Sequence, residues 1–226
     1  MRDYRRPPLN HYHAGLEAGE CSQSGRLLVM VMESIVTCDG YSEADFAHRL
    51  DQSLFPFLDG RANQGPGGYT SQPIRETWRK RIIERKPWGQ VAGYADTAEG
   101  AERSIPLAAL FHRDLTSLAT AVLSHIALTQ KDVTVLAMSL AYTCVLALLL
   151  RGRSLDESIS DPLMATVRAG ELPFYTVTGG RLDALANDNA PSEEGDGSLR
   201  RMRFSRLATS PARLKTRMSA FNPHGK

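Results

Sequence analysis

Through most of the first 170 residues the apolar positions recur at helical spacing rather than alternating. Leu27, Leu28, Val29, Met30, Val31, Met32, Ile35 and Val36 predict a helix from about Ser22 to Thr37 with a wide hydrophobic face, closed by the Gly of CDGY. Ser42 followed by Asp45 reads as the next start, and Phe46, Leu50 and Leu54 share a face until Pro56. Pro73 in a first turn, with Ile74, Trp78, Ile82 and Ile83, predicts an amphipathic helix over SQPIRETWRKRIIERK. Further helices are predicted near Thr97 to Phe111, from Leu115 to about Ala127, and from Asp132 onward. A capping box of Ser154 and Glu157 opens a last one that runs to about Arg168. No segment alternates as a strand does. The pattern therefore predicts an all-α body of six or seven helices at 20–170, after an irregular segment at 1–19 that Pro7, Pro8, Gly15 and Gly19 punctuate. A linker at 171–198 and a basic, solvated tail at 199–226 complete the organisation.

Val133 to Leu150 is uncharged and precedes Arg151 and Arg153, which puts it at the lower edge of a bilayer span. Ala, Ser, Thr and Cys recur among its leucines and suit close packing on every side, so the expectation is the central helix of a bundle and no membrane contact. Composition agrees: 42% hydrophobic and 23% charged residues exclude collagen-like, mucin-like and wholly disordered classes. The net charge of +2 hides an asymmetry, because residues 199–226 hold eight basic residues and no acid while the rest of the chain is net −6. Nucleic acid is thus expected only through the basic tail, against the simpler reading of that tail as a solvated end. Cys21, Cys38 and Cys144 form no CxxC, which excludes a disulfide framework and a zinc knuckle. With no apolar core after MRDYRRPPLNHYH to make a secretory leader, the expected location is cytoplasmic.

The best local signal for chemistry is DGRANQGPGGYT, residues 59–70, which feeds the helix after Thr70 and Ser71. Glycines at 65, 67 and 68 free backbone amides, and a helix start adds unpaired N–H groups and partial positive charge, as a phosphate requires. The alternative is a plain GPGG turn. In DTAEGAERSIP, Asp96, Glu99, Glu102 and Arg103 crowd one turn, either as acids for metal or proton work or as a helix start in which Glu99 pairs with Arg103. His11 and His13 form an HxH pair without a supporting third ligand, and no GxSxG, HExxH or Walker pattern occurs.

In order along the chain, HYHAGLEAGECSQSGRLLVMVMESIV, GYSEADFAHRL, GGYTSQPIRETWRKRI, AEGAERSIPLAALF and LTQKDVTVLAMSLAYTCVLALLLRG resemble the successive helices and loops of the ADP-ribosylglycohydrolase family over residues 11–153. The resemblance implies an all-α fold with a binuclear magnesium centre at the mouth of a cleft for ADP-ribose. The family's Thr-Asp-Asp-Thr metal motif falls on Ser22, Gln23, Ser24 and Gly25, where both aspartates are absent and magnesium is not expected at full affinity. Its glycine-rich phosphate loop falls on Gly67, Gly68, Tyr69, Thr70 and Ser71. Its loop against the distal part of the ligand falls near Asp96, Thr97 and Glu99, with Thr-Ala-Glu-Gly in place of Gly-Asn-Gly, and Thr129 and Gln130 stand where a Thr-His pair is common. Further metal motifs would lie before residue 1 and beyond the linker, so the implied helical bundle is incomplete at both ends.

The implied activity is hydrolysis of the glycosidic bond between ADP-ribose and a protein or small molecule, here with impaired or lost catalysis. The expected partner is ADP-ribose or an ADP-ribosylated protein. Two alternatives stand beside it: a non-catalytic ADP-ribose or nucleotide-binding module, and a helical interaction protein with a basic tail. Homo-oligomerisation is left open by core surface that missing flanks would expose.

Overall fold

The computed structural model describes residues 7–170 and Leu172. The segments read as linker and basic tail lie outside the described residues apart from Leu172, as does the whole of a second unit, Thr178–Lys226. The described part is helical, and its one β-type pairing is an isolated bridge between Gly93 and Gln130.

Ser22 caps α1 (Gln23–Cys38), its hydroxyl accepting from the Gly25 amide. The left-handed residue that ends α1 is Asp39 at φ 50°, one place before the expected glycine. Ser42 caps α2 (Glu43–Arg49), which widens into a π-turn at Leu50–Leu54 and then tightens into a 3-10 turn at Phe55–Phe57. α3 (Gln72–Trp78) carries Pro73 in its first turn and continues as a π-turn through Arg79–Ile83. Asp51 binds these two regions together by accepting from Arg81 and from the Trp88 indole at 2.9 Å.

The single helix expected near Thr97–Phe111 is two, α4 (Glu99–Arg103) and α5 (Ile105–Phe111). Pro106 has no N–H to give the carbonyl one turn back, so the chain restarts at Ser104, whose hydroxyl donates to Gly100 O at 2.7 Å. α6 (Leu115–Ala127) and α7 (Val133–Leu150) each begin at an aspartate, Asp114 and Asp132, that accepts two first-turn amides. Where the sequence predicts a capping box at Ser154 and Glu157, the Asp156 side chain caps the turn by accepting the Ser158 amide, before α8 (Ser160–Arg168).

α7 is long and apolar enough to cross a membrane by length and composition, and half of it is buried against its neighbours. Val135, Leu136, Leu140, Cys144, Ala147 and Leu148 are buried on more than one face of the helix, and it packs on α4, α5 and α6. Its small residues let those helices approach, and each buried leucine contributes about 1.5–3 kcal/mol relative to exposure. The core thus lies around α7 and α6, with α1 to α4 and the glycine loop beside it.

Candidate functional site

The loop before α3 is folded on itself and pressed against α1. Thr70 donates its amide to Ala62 O and its hydroxyl to Gln64 O, both at 2.7 Å, and the Gly68 amide reaches Gly65 O at 3.2 Å. Gly67 and Gly68 have φ of +87° and +83°. A Cβ on Gly67 would lie 2.6 Å from the Ser22 carbonyl carbon, and one on Gly68 would meet the Tyr12 carbonyl oxygen. Only glycine permits this approach. The Ser71 amide donates to Gln23 Oε1 at 3.0 Å across 48 residues of sequence, with both residues buried.

The structure therefore joins two of the three segments singled out in the sequence, Ser22–Ser24 and Gly67–Ser71. It also uses part of the expected anion cradle internally, since the amides of Gly68, Thr70 and Ser71 all have protein acceptors. The start of α3 has no side-chain cap, and the Ser71 hydroxyl beside it is buried without a partner. Arg75 holds Thr70 O and lies 5.8 Å over the Tyr69 ring, and Tyr69 meets Tyr12 with centroids 5.3 Å apart. The two tyrosines are partly exposed and present π-faces suited to a nucleobase.

At the position of the expected metal motif, each polar group already has a task or the wrong polarity. Ser22 Oγ accepts the Gly25 amide and Gln23 Oε1 accepts the Ser71 amide. The Gln23 Nε2 that remains is a buried hydrogen-bond donor without an acceptor, which repels a cation. Ser24 adds one half-buried hydroxyl. This donor set does not fit a binuclear magnesium centre. A cavity of about 390 Å³ adjoins Ser22, lined in part by His13, Glu17 and Glu20. Among the described residues no three His, Cys, Asp or Glu side chains converge to hold a metal, and His11 Nδ1 accepts from the His13 amide at 3.1 Å.

Asp96 is exposed, while Thr97 and Glu99 are half-buried in the turn that enters α4. α4 packs on α1, yet no hydrogen bond among the described residues joins Asp96, Thr97 or Glu99 to Gln23 or Ser71. Arg103 does not form the ion pair with Glu99 that the helix-start reading of the sequence supposes. It turns inward, fully buried, and donates Nε to His125 Nε2 at 3.1 Å and Nη2 to Thr129 Oγ1. Burial lowers the Arg103 guanidinium to about 10, against a weak pull from Tyr41 and Glu99. Burial, reinforced by the Arg103 charge, drives His125 well below its ordinary value, so the imidazole is neutral and accepts through Nε2. Gln130 is also fully buried, and Nε2 donates to Ala95 O at 3.2 Å and Thr97 O at 2.8 Å. Local sequence carries little sign of this interior polar group, because its partners are 22 to 35 residues apart.

Compared with known proteins, the chain matches the family model described as ADP-ribosylglycohydrolase over residues 1–217, which spans the described helices and most of the residues beyond them. No curated protein and no solved structure matches it. The helical fold and the family match agree, and the chain belongs to the ADP-ribosylglycohydrolase family.

Proposed function

We propose that this chain recognises ADP-ribose, free or attached to a protein, at the junction of α1 with the Gly67–Ser71 loop, and that hydrolysis of the glycosidic bond by the magnesium route is impaired. The observation that carries this reading is the buried hydrogen bond from the Ser71 amide to Gln23 Oε1. It couples the glycine loop to the position where the resemblance implies metal-binding carboxylates, and it engages the side-chain oxygen of Gln23. The family is metal-dependent in general, but the buried Nε2 donor of Gln23 disfavours a cation and Ser22 and Ser24 bring no charge, so no step is routed through a metal at this position. The chain's own residues support binding instead. The uncapped start of α3 and the Ser71 hydroxyl suit a diphosphate, and Tyr12 and Tyr69 suit a stacked base.

The test is calorimetric titration of the full chain with ADP-ribose, with and without magnesium, alongside release of ADP-ribose from an ADP-ribosylated peptide. The expected result is equal affinity in both conditions and little release. Affinity or release that rises steeply with magnesium would overturn the reading and return a working metal centre.

A further inference from the structure

We infer that Gln130 is the positioning residue that sets the conformation of the Asp96–Glu99 loop. The inference rests on the proposed ADP-ribose reading only in taking that loop to face the ligand; the positioning itself stands on contacts within the protein. The loop is held from two sides. On one, the Tyr94 amide donates to a Glu76 carboxylate oxygen at 3.0 Å, and Gly93 lies so close that a Cβ there would sit 3.0 Å from Glu76 Cβ. On the other, the Gly93 amide reaches Thr129 O and the Lys131 amide reaches Gly93 O, each at 2.9 Å, which brings the Gln130 side chain beneath the loop.

From there the single Nε2 of Gln130 serves two acceptors, Ala95 O and Thr97 O. Ala95 is buried and Asp96, between the two carbonyls, is exposed. Turning both carbonyls inward leaves the intervening Asp96 facing outward. Gln130 Oε1 comes within 2.7 Å of where a Cβ on Gly100 would be, so the first turn of α4 packs directly against this side chain. A histidine at this place, which the resemblance drawn above implies, carries at most one hydrogen on any ring nitrogen and cannot give two from one atom. The carboxamide thus holds two carbonyls where an imidazole would hold one. Arg103 extends the same support by binding Thr129, the neighbouring residue.

The experiment compares the full chain with Gln130→Glu and Gln130→His by amide hydrogen exchange and by ADP-ribose titration. In Q130E both donors are lost and a carboxylate faces two carbonyls, so exchange at Gly93, Tyr94 and Ala101 should speed up by about tenfold or more and ADP-ribose affinity should fall by about tenfold. Q130H keeps one donor and should fall between, which a general loss of stability would not produce. If Q130E does not fold, Q130H carries the test. Leu118→Ala, a cavity in α6 away from the loop, should destabilise the fold without changing ADP-ribose affinity. Unchanged exchange and affinity in both Gln130 variants would overturn the inference. Wild-type protein that binds no ADP-ribose would refute the proposed function while the exchange data still decide the role of Gln130.

Discussion

Replacing Gly67 by alanine tests whether the glycine loop is seated on α1. The control is Gly89→Ala, because Gly89 has nearly the same backbone, φ +91° against +87°, but nothing within 4 Å of an added Cβ. In the control only the strain of a left-handed alanine is expected, about 1–2 kcal/mol. At position 67 the methyl would lie 2.6 Å from the Ser22 carbonyl carbon and 2.8 Å from Gln23 Cα, and backbone cannot rotate away as a side chain can. Overpacking of that kind adds about 1–3 kcal/mol. Displacing the loop also loses the Ser71 to Gln23 hydrogen bond, about 1 kcal/mol more. The expected gap between the two variants is therefore about 2–4 kcal/mol in urea unfolding, and G67A alone should lose ADP-ribose binding. A gap under about 1 kcal/mol would refute the reasoning, because the loop would then not rest on the first turn of α1.

The remaining expectations follow from single groups. His125 is neutral in the folded chain but takes up a proton below about pH 6.5 when unfolded, so its contribution is fully present above that pH and falls by up to about 1.4 kcal/mol per unit below it. Glu43, raised chiefly by burial, acts in the opposite sense, so the check is a flatter urea-midpoint profile between pH 7 and 5 in His125→Asn than in the wild type. Burial raises the Cys144 thiol to about 12 while Cys21 and Cys38 are exposed, so two of the three thiols should react with a chromogenic disulfide in the native protein and the third only on unfolding. Gln23→Glu keeps an acceptor for the Ser71 amide but replaces the orphan donor by negative charge, and titration should show ADP-ribose affinity reduced by about tenfold.

The helices that the sequence revealed best are those whose ends are local. Asp114 and Asp132 cap α6 and α7 within three residues, and α7 is an unbroken uncharged run. The break between α4 and α5 was equally local, since Pro106 stands in the sequence, but a proline near a helix start reads just as well as a first-turn residue. The Gly67–Ser71 loop was legible as a glycine-rich entry to a helix. Its seat on Gln23 was not, because the contact joins residues 48 apart and nothing in either segment names the other. Arg103 shows the same limit from the opposite side: Glu99 four residues earlier offers a complete local explanation, and only the packing of α4 on α6 puts His125 and Thr129 within reach instead.

Two buried glutamines play matching parts in this fold. The resemblance drawn from the sequence implies an aspartate at the place of Gln23 and a histidine at that of Gln130; in this structure each glutamine uses its carboxamide to hold a loop. A carboxylate at position 23 would accept the Ser71 amide as well, but it would leave a charge in a buried place that only a cation could balance. The carboxamide makes the same hydrogen bond with no such requirement. The hydrogen bond ties the loop to α1 and leaves one buried donor, Nε2, without an acceptor. An unpaired donor of that kind is unfavourable by about 1–3 kcal/mol. A phosphate oxygen beside Ser71 would relieve it, whereas a divalent cation would not. That difference in sign is why, on the function proposed here, ADP-ribose affinity is expected not to depend on magnesium.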